Sequence, residues 1–221
     1  MKQILSLLIF LISIFAMSQE NKLQVGIQLF PNFSTGIPDK DVSNADMYHG
    51  IECFVFSYSA GLRVEYVFSD KWTFSSGLLF NKTGDRSIKL PPDPQRGFFW
   101  TYRYYKTSLY YLEIPFLINR SFGKHWNMEF GASPILNLWN KNKIYYEGGN
   151  YTINKDYYDV NLFGLFTNFG LGYRVDFDKS KLNIMPYFQF NILEGIRDYL
   201  FLDYLPARRN VAGGLKMTFM F

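Results

Sequence analysis

The sequence predicts an all-β fold, an eight-stranded antiparallel up-and-down transmembrane β-barrel, and three observations predict it. Apolar and polar residues alternate with period two in eight separate segments. The connections between those segments alternate without exception between long and short. Aromatic residues make up 20% of the 221-residue chain (23 Phe, 17 Tyr, 4 Trp), yet mean hydropathy is only −0.10. A bundle of membrane helices would be strongly hydropathic, whereas rings interleaved finely with polar residues read as strands.

The elements follow in chain order. Residues 1–18 read as a secretory signal peptide: Lys2, an apolar run from Ile4 to Ala16, then small residues at Ala16 and Ser18. The run is shorter than the ~20 residues of a spanning helix, and no Cys follows it to carry a lipid. An uncleaved N-terminal anchor is the alternative. The mature domain is expected over residues 19–221, starting near Gln19.

Strand one sets Leu23, Val25, Ile27 and Leu29 against Gln24, Gly26 and Gln28. Strand two sets Tyr58, Ala60, Leu62, Val64, Tyr66 and Phe68 against Ser59, Gly61, Arg63 and Glu65. The third carries Trp72, Phe74, Leu78 and Phe80 opposite Thr73, Ser75, Gly77 and Asn81. Tyr110, Leu112, Ile114, Phe116 and Ile118 form the apolar row of the fourth, with Tyr111 and Glu113 behind them. The fifth opposes Trp126, Met128, Phe130, Ala132 and Leu136 to Asn127, Glu129, Gly131, Ser133 and Asn137.

In the sixth, Phe163, Leu165, Phe169, Leu171, Tyr173 and Val175 face away from Gly164, Asn168, Gly170, Gly172 and Arg174. The seventh sets Leu182, Ile184, Phe188, Phe190 and Ile192 against Asn183, Tyr187, Gln189 and Asn191. The eighth sets Val211, Leu215, Met217, Phe219 and Phe221 against Asn210, Ala212, Gly214, Lys216 and Thr218.

The short links are Ser69–Lys71, Asn119–Lys124 and Asp176–Lys181; the long ones are Thr35–Phe56, Lys82–Ser108, Asn140–Val160 and Leu193–Arg209. Outer-membrane barrels have tight turns on the periplasmic side and long loops outside. Hydrocarbon offers no partner for backbone N–H and C=O groups, so a spanning sheet must close. Trp72, Trp126, Phe68, Phe177 and Phe221 lie beside the short turns or the C-terminus and would form one aromatic girdle. Tyr58, Phe80, Tyr110 and Phe163 would form the other.

The polar face carries Arg63, Arg174 and Lys216 against Glu65, Glu113 and Glu129. Balanced charge favours a salt-bridged plug over a relay, because an eight-stranded barrel is only wide enough for its own side chains. The formal charge of +4 is scattered, and Arg208-Arg209 is an isolated pair, so nucleic acid is not an expected partner. Cys53 is the single cysteine; it can form no internal disulfide, and no Cys/His spacing suggests zinc. No cofactor, metal or catalytic residue is expected.

Several stretches bear a resemblance. "YLEIPFLI" (Tyr111–Ile118), "GASPILNLW" (Gly131–Trp139), "NFGLGYRVDF" (Asn168–Phe177) and the terminal "KMTFMF" together resemble the PorT-like family of outer-membrane β-barrel proteins. The resemblance spans essentially the whole mature chain, and "YLEIP" is its most specific element. It implies integral residence in the bacterial outer membrane and contact with its lipid. It also implies insertion by the barrel-assembly machinery, which reads a terminal aromatic strand. It brings no catalytic motif. A founding member is associated with a protein-secretion system, so an extracellular or secretion-system partner is an alternative role.

Function is expected to rest on structure or on loop-mediated binding. The richest loop is "PPDPQRGFFWTYRYY" (Pro91–Tyr105), with Arg96 and Arg103 among its rings; "ILEGIRDYLFLDYL" (Ile192–Leu205) is a second. A lipid hydrolase or acyltransferase would need a His beside a nucleophile and a carboxylate. Only His49, near Asp46 and Glu52, and His125 exist, and they belong at opposite ends. A soluble lipocalin-like carrier would turn the apolar face inward. Ring clustering at strand ends, Gly and Asn on the opposite face, and the alternation of loop lengths disfavour it.

Overall fold

The computed structural model describes residues 22–38, 53–86, 103–146, 149–151, 159–160, 162–192, 196–197 and 208–221. The strands are β1 (Leu23–Pro38), β2 (Val55–Val67), β3 (Trp72–Arg86), β4 (Arg103–Glu113), β5 (Phe116–Phe122) and β6 (Trp126–Tyr146). After them come β7 (Gly149–Tyr151), β8 (Asp159–Val160), β9 (Phe163–Asp176), β10 (Lys181–Asn191), β11 (Ile196–Arg197) and β12 (Arg208–Met220). Strands β4 and β5 are two halves of one stave. The eight staves run β1, β2, β3, β4/β5, β6, β9, β10, β12, and β12 pairs back onto β1, so the antiparallel barrel is closed. Strand β7 extends β6 as a hairpin, and β8 and β11 form a small annex on β12.

The break in the fourth stave follows from its sequence. Pro115 has no N–H to give to a ladder, while Ile114 N–H turns to Pro134 O at 3.1 Å. Strand β3 keeps one register across the break, pairing Leu79 with Glu113 and Ser75 with Leu117.

Stepping once around the wall between paired residues fixes the stagger. The path goes from Gln24 to Glu65, Ser75, Leu117 and Gly131. It continues through Asn168, Gln189 and Ala212 and re-enters β1 at Ser34, ten residues beyond its start. Strand number and shear together set strand tilt and width. Eight staves leave an interior that side chains can fill.

The faces sort as the alternation requires. Leu62, Leu78, Phe116, Phe169, Phe188 and Leu215 point away from the axis, while Gln28, Arg63, Ser75, Glu129, Asn168 and Lys216 are buried inside. The hydrocarbon rows therefore lie outside, which rules out the inward-facing apolar pocket of a carrier. Phe68, Trp126, Phe177 and Phe221 ring the short-turn end, where Phe221 N–H also bonds Val25 O at 2.9 Å. The last residue thus sits on the closing seam.

Two features go beyond strict alternation. In β6 the register shifts, Tyr110 pairing with Trp139 but Tyr111 with Asn137, so Leu138 is an extra residue. The bulge turns Trp139 outward beside Leu138, where it stacks on Tyr110 at 4.8 Å and joins the outer girdle. The hairpins also continue past the lipid-crossing segments: β3 reaches Arg86, β4 starts at Arg103 and β6 ends at Tyr146. Pairing persists there because the register is unbroken, although the outward residues have become polar. At the other end Gly123 adopts φ +66° in the turn before β6, a conformation natural to glycine.

Candidate functional site: the filled lumen and its outer rim

The centre of the lumen is organised by Glu129 on β6. Its carboxylate accepts from Arg63 on β2 and from Lys216 on β12. The three side chains are at most 2% exposed. Arg63 also uses Nε on Glu65 Oε1 (2.8 Å), Nη1 on Gln28 Oε1 (3.0 Å) and Nη2 on Ser75 Oγ (2.9 Å). With its amide turned to suit its neighbours, Asn119 donates to Glu129 Oε2 at 2.7 Å. A buried ion is tolerable only when paired and hydrogen-bonded, and Arg63 meets both conditions.

One level outward, Glu113 accepts from Asn81 and from Gln189 Nε2 at 3.2 Å. Lys216 is near enough to Glu113 for Coulombic attraction, and its Nζ sits 3.7 Å from the Tyr187 ring centroid. Tyr187 in turn meets Phe30 edge-to-face at 5.2 Å. Gly170 makes room for this stack: a Cβ there would overlap Met185 Sδ and lie 2.6 Å from Tyr187 Cδ2. Farther out, Leu109, Tyr111, Ile135 and Phe166 close the lumen with an apolar layer. Asn210 Nδ2 donates to Tyr111 Oη at 3.3 Å. A small recess between Asn32, Thr83, Tyr111 and Asn210 has room for about one water.

The structure gathers five of the six predicted lumen charges, Arg63, Glu65, Glu113, Glu129 and Lys216. It separates Arg174, which lies at the short-turn rim with Nε 3.0 Å from Asp176 Oδ1 and Nη2 donating to Lys124 O at 3.1 Å. Inward parity places a residue inside only where the strand is still within the barrel, and Arg174 is near the end of β9. Asp85 is a buried carboxylate that the sequence reading missed. Its inward parity with Asn81 and Thr83 was available as a signal, but it fell in a stretch read as loop.

His125 sits in the short turn before β6, stacked on Tyr173 at 5.3 Å, with Nδ1 3.1 Å from Arg174 O. Cys53 is partly buried, its N–H bonded to Arg86 O at 2.7 Å. His49, Asp46, Glu52, Arg96 and most of both aromatic loop segments lie outside the described residues, as does the expected signal peptide. Of Pro91–Tyr105, only residues 103–105 are described, as the start of β4. Among the described residues no group of three or more His, Cys, Asp or Glu is placed to hold a metal.

A closed barrel with hydrocarbon outside and paired ions within is the arrangement a bilayer demands. The family model described as "Outer membrane protein beta-barrel domain" matches residues 15–199. The chain belongs to that family. It is a small outer-membrane β-barrel protein.

Among solved structures, Neisserial surface protein A is similar at 11% identity and TM-score 0.44, covering 90% of this chain and 97% of that one. Ail, the attachment invasion locus protein of Yersinia pestis, matches at 11% identity and TM-score 0.37, covering 90% and 99%. The translocator domain of the autotransporter NalP from Neisseria meningitidis matches at 10% identity and TM-score 0.39, covering 100% and 96%. No curated protein matches the chain.

Proposed function

We propose that this barrel is a non-catalytic, closed membrane anchor whose extracellular ends do the binding. The observation that carries the reading is the filled lumen: the Arg63–Glu129–Lys216 triad below and the Leu109–Tyr111–Ile135–Phe166 layer above occupy it with buried side chains at two levels. Outside the staves the sequence carries four long connections, and loops on a rigid scaffold are where recognition usually resides. Reconstituted barrel should admit no sugar into liposomes, and shortening residues 88–101 should abolish binding to cells or matrix without impairing insertion. Sugar uptake at the level of an open porin would overturn the closed-anchor reading.

The finer, PorT-like assignment rests on "YLEIP", whose Glu113 is a lumen residue held by Asn81 and Gln189. A part in protein secretion would have to be played by loops or rim, since the interior is occupied. Copurification of secretion-system proteins with the tagged barrel, lost on loop shortening, would favour that role. The remaining proposals are export by residues 1–18, which predicts Gln19 as the N-terminal residue of the membrane-fraction protein, and recognition of the Phe221 strand by the assembly machinery.

A further inference from the structure

The outer ends of β3, β4 and β6 carry an arrangement that sheet physics disfavours. Arg86 pairs directly with Lys106, and Lys106 directly with Lys143, so three cations stand side by side across three strands. Like charges directly opposite one another destabilise a sheet. Two residues nearer the membrane the row reads Gly84, Ser108, Lys141, and two further it reads Lys82, Tyr110, Trp139.

Aromatic rings frame the cations. Tyr104 and Tyr145 stack at 4.6 Å above them, with the Arg86 guanidinium 5.7 Å from the Tyr104 ring. Lys82 Nζ lies 5.8 Å from the Tyr58 ring below. All five cations have outward register positions, and none is in an ion pair among the described residues. In the described parts of these three strand ends the one carboxylate, Asp85, is buried on the inner face.

The height of the patch identifies its occupant. Lys82 is level with the outer girdle, and four residues at about 3.3 Å each on a strand tilted by roughly 40° lift the Arg86 row about 10 Å above it. The polar layer outside the hydrocarbon is about 5–8 Å thick on each side. The cations therefore run from the hydrocarbon edge through the headgroup layer to just past its outer boundary, on the face of the sheet that lipid touches. Long side chains turned back toward that layer remain within reach of it. We propose that Lys82, Arg86, Lys106, Lys141 and Lys143 form a binding site for the phosphate groups of an anionic outer-leaflet lipid. The anion lies between the cations and cancels their repulsion.

The test uses the full mature barrel in nanodiscs of phosphatidylcholine with and without diphosphoryl lipid A. Folding is followed by the heat-dependent shift in gel mobility. Lys106→Ala should melt above wild type in phosphatidylcholine alone, because repulsion is relieved, and below wild type when lipid A is present. Lipid A retained per barrel should fall about fivefold for each cation removed. Lys71→Ala and Lys179→Ala, in the short turns, remove the same charge at the other end and should leave retention unchanged. Equal retention by Lys106→Ala and wild type, equal losses in the short-turn variants, or stabilisation by inorganic phosphate as strong as by lipid A would overturn the assignment.

Discussion

Replacing Glu129 by Gln keeps the side chain's volume and removes its charge, which isolates the electrostatic role of the lumen hub. Two cations depend on that carboxylate, Arg63 and Lys216, and both are almost wholly buried. Breaking a buried pair by removing one partner costs about 3–5 kcal/mol, because the surviving charge is left desolvated. Arg63 keeps a direct ion pair with Glu65, whereas Lys216 keeps the tyrosine ring and only through-space attraction to Glu65 and Glu113. Most of the loss should therefore come from Lys216. At a urea slope of about 2 kcal/mol per molar, a loss of about 4 kcal/mol moves the unfolding midpoint down by roughly 2 M. The assay is reversible urea unfolding in lipid vesicles, read by tryptophan fluorescence and heat-modified mobility. Lys216→Met added to Glu129→Gln should recover much of the loss, since the stranded charge is then gone. A midpoint unchanged by Glu129→Gln, or two substitutions whose costs simply add, would refute the paired-plug reasoning.

Three other outcomes test neighbouring parts of the argument. Leu62, 59% exposed in the middle of β2 between Ile27 and Leu78, faces the hydrocarbon. Leu62→Arg should lower folding stability in vesicles by about 2–4 kcal/mol, while Phe68→Lys at the girdle should cost about 0–1 kcal/mol. Gly170→Ala should overpack the Met185–Tyr187 stack and lose about 1–3 kcal/mol in the same unfolding assay, with Met185→Ala restoring part of it. Deleting Leu138 should join the Tyr111–Asn137 and Tyr110–Trp139 pairs in an uninterrupted ladder and leave Trp139 outward, its fluorescence still quenched by brominated lipid. Loss of that quenching would refute the assignment of Leu138 as the extra residue.

The alternation exposed the staves because a lipid-facing row is apolar over its whole length, and Leu215, Met217 and Phe219 leave no ambiguity of period. Chain ends of the hairpins were harder to read. Beyond the girdle both faces become polar, so Lys82–Arg86 and Lys141–Tyr146 look like loop although they remain paired. The bulge at Leu138 was invisible for a related reason: apolar residues at Leu136, Leu138 and Trp139 fit neither parity, and only the partner strand reveals which one is extra. Charge balance on the inner face correctly pointed to Arg63, Glu129 and Lys216. It misplaced Arg174, because parity carries no information on depth, and depth decides whether a charge is buried.

Depth also explains why this barrel needs both large and absent side chains. Strand number and a shear of ten residues fix the width of the lumen before any side chain is chosen. Arg63, Tyr111, Tyr187 and Phe30 are among the largest fully buried side chains, and they must share that fixed cross-section. The wall cannot swell to admit them, since widening would break a ladder that has no water to replace it. Space comes instead from neighbouring staves: Gly170 yields to Tyr187 and Met185, and Gly172 yields to Asn127 and Asn183. A bulky residue at either glycine would thus act on the closure of the whole cylinder. The inner face is for that reason the more constrained half of the sequence, while on the lipid side any apolar residue serves.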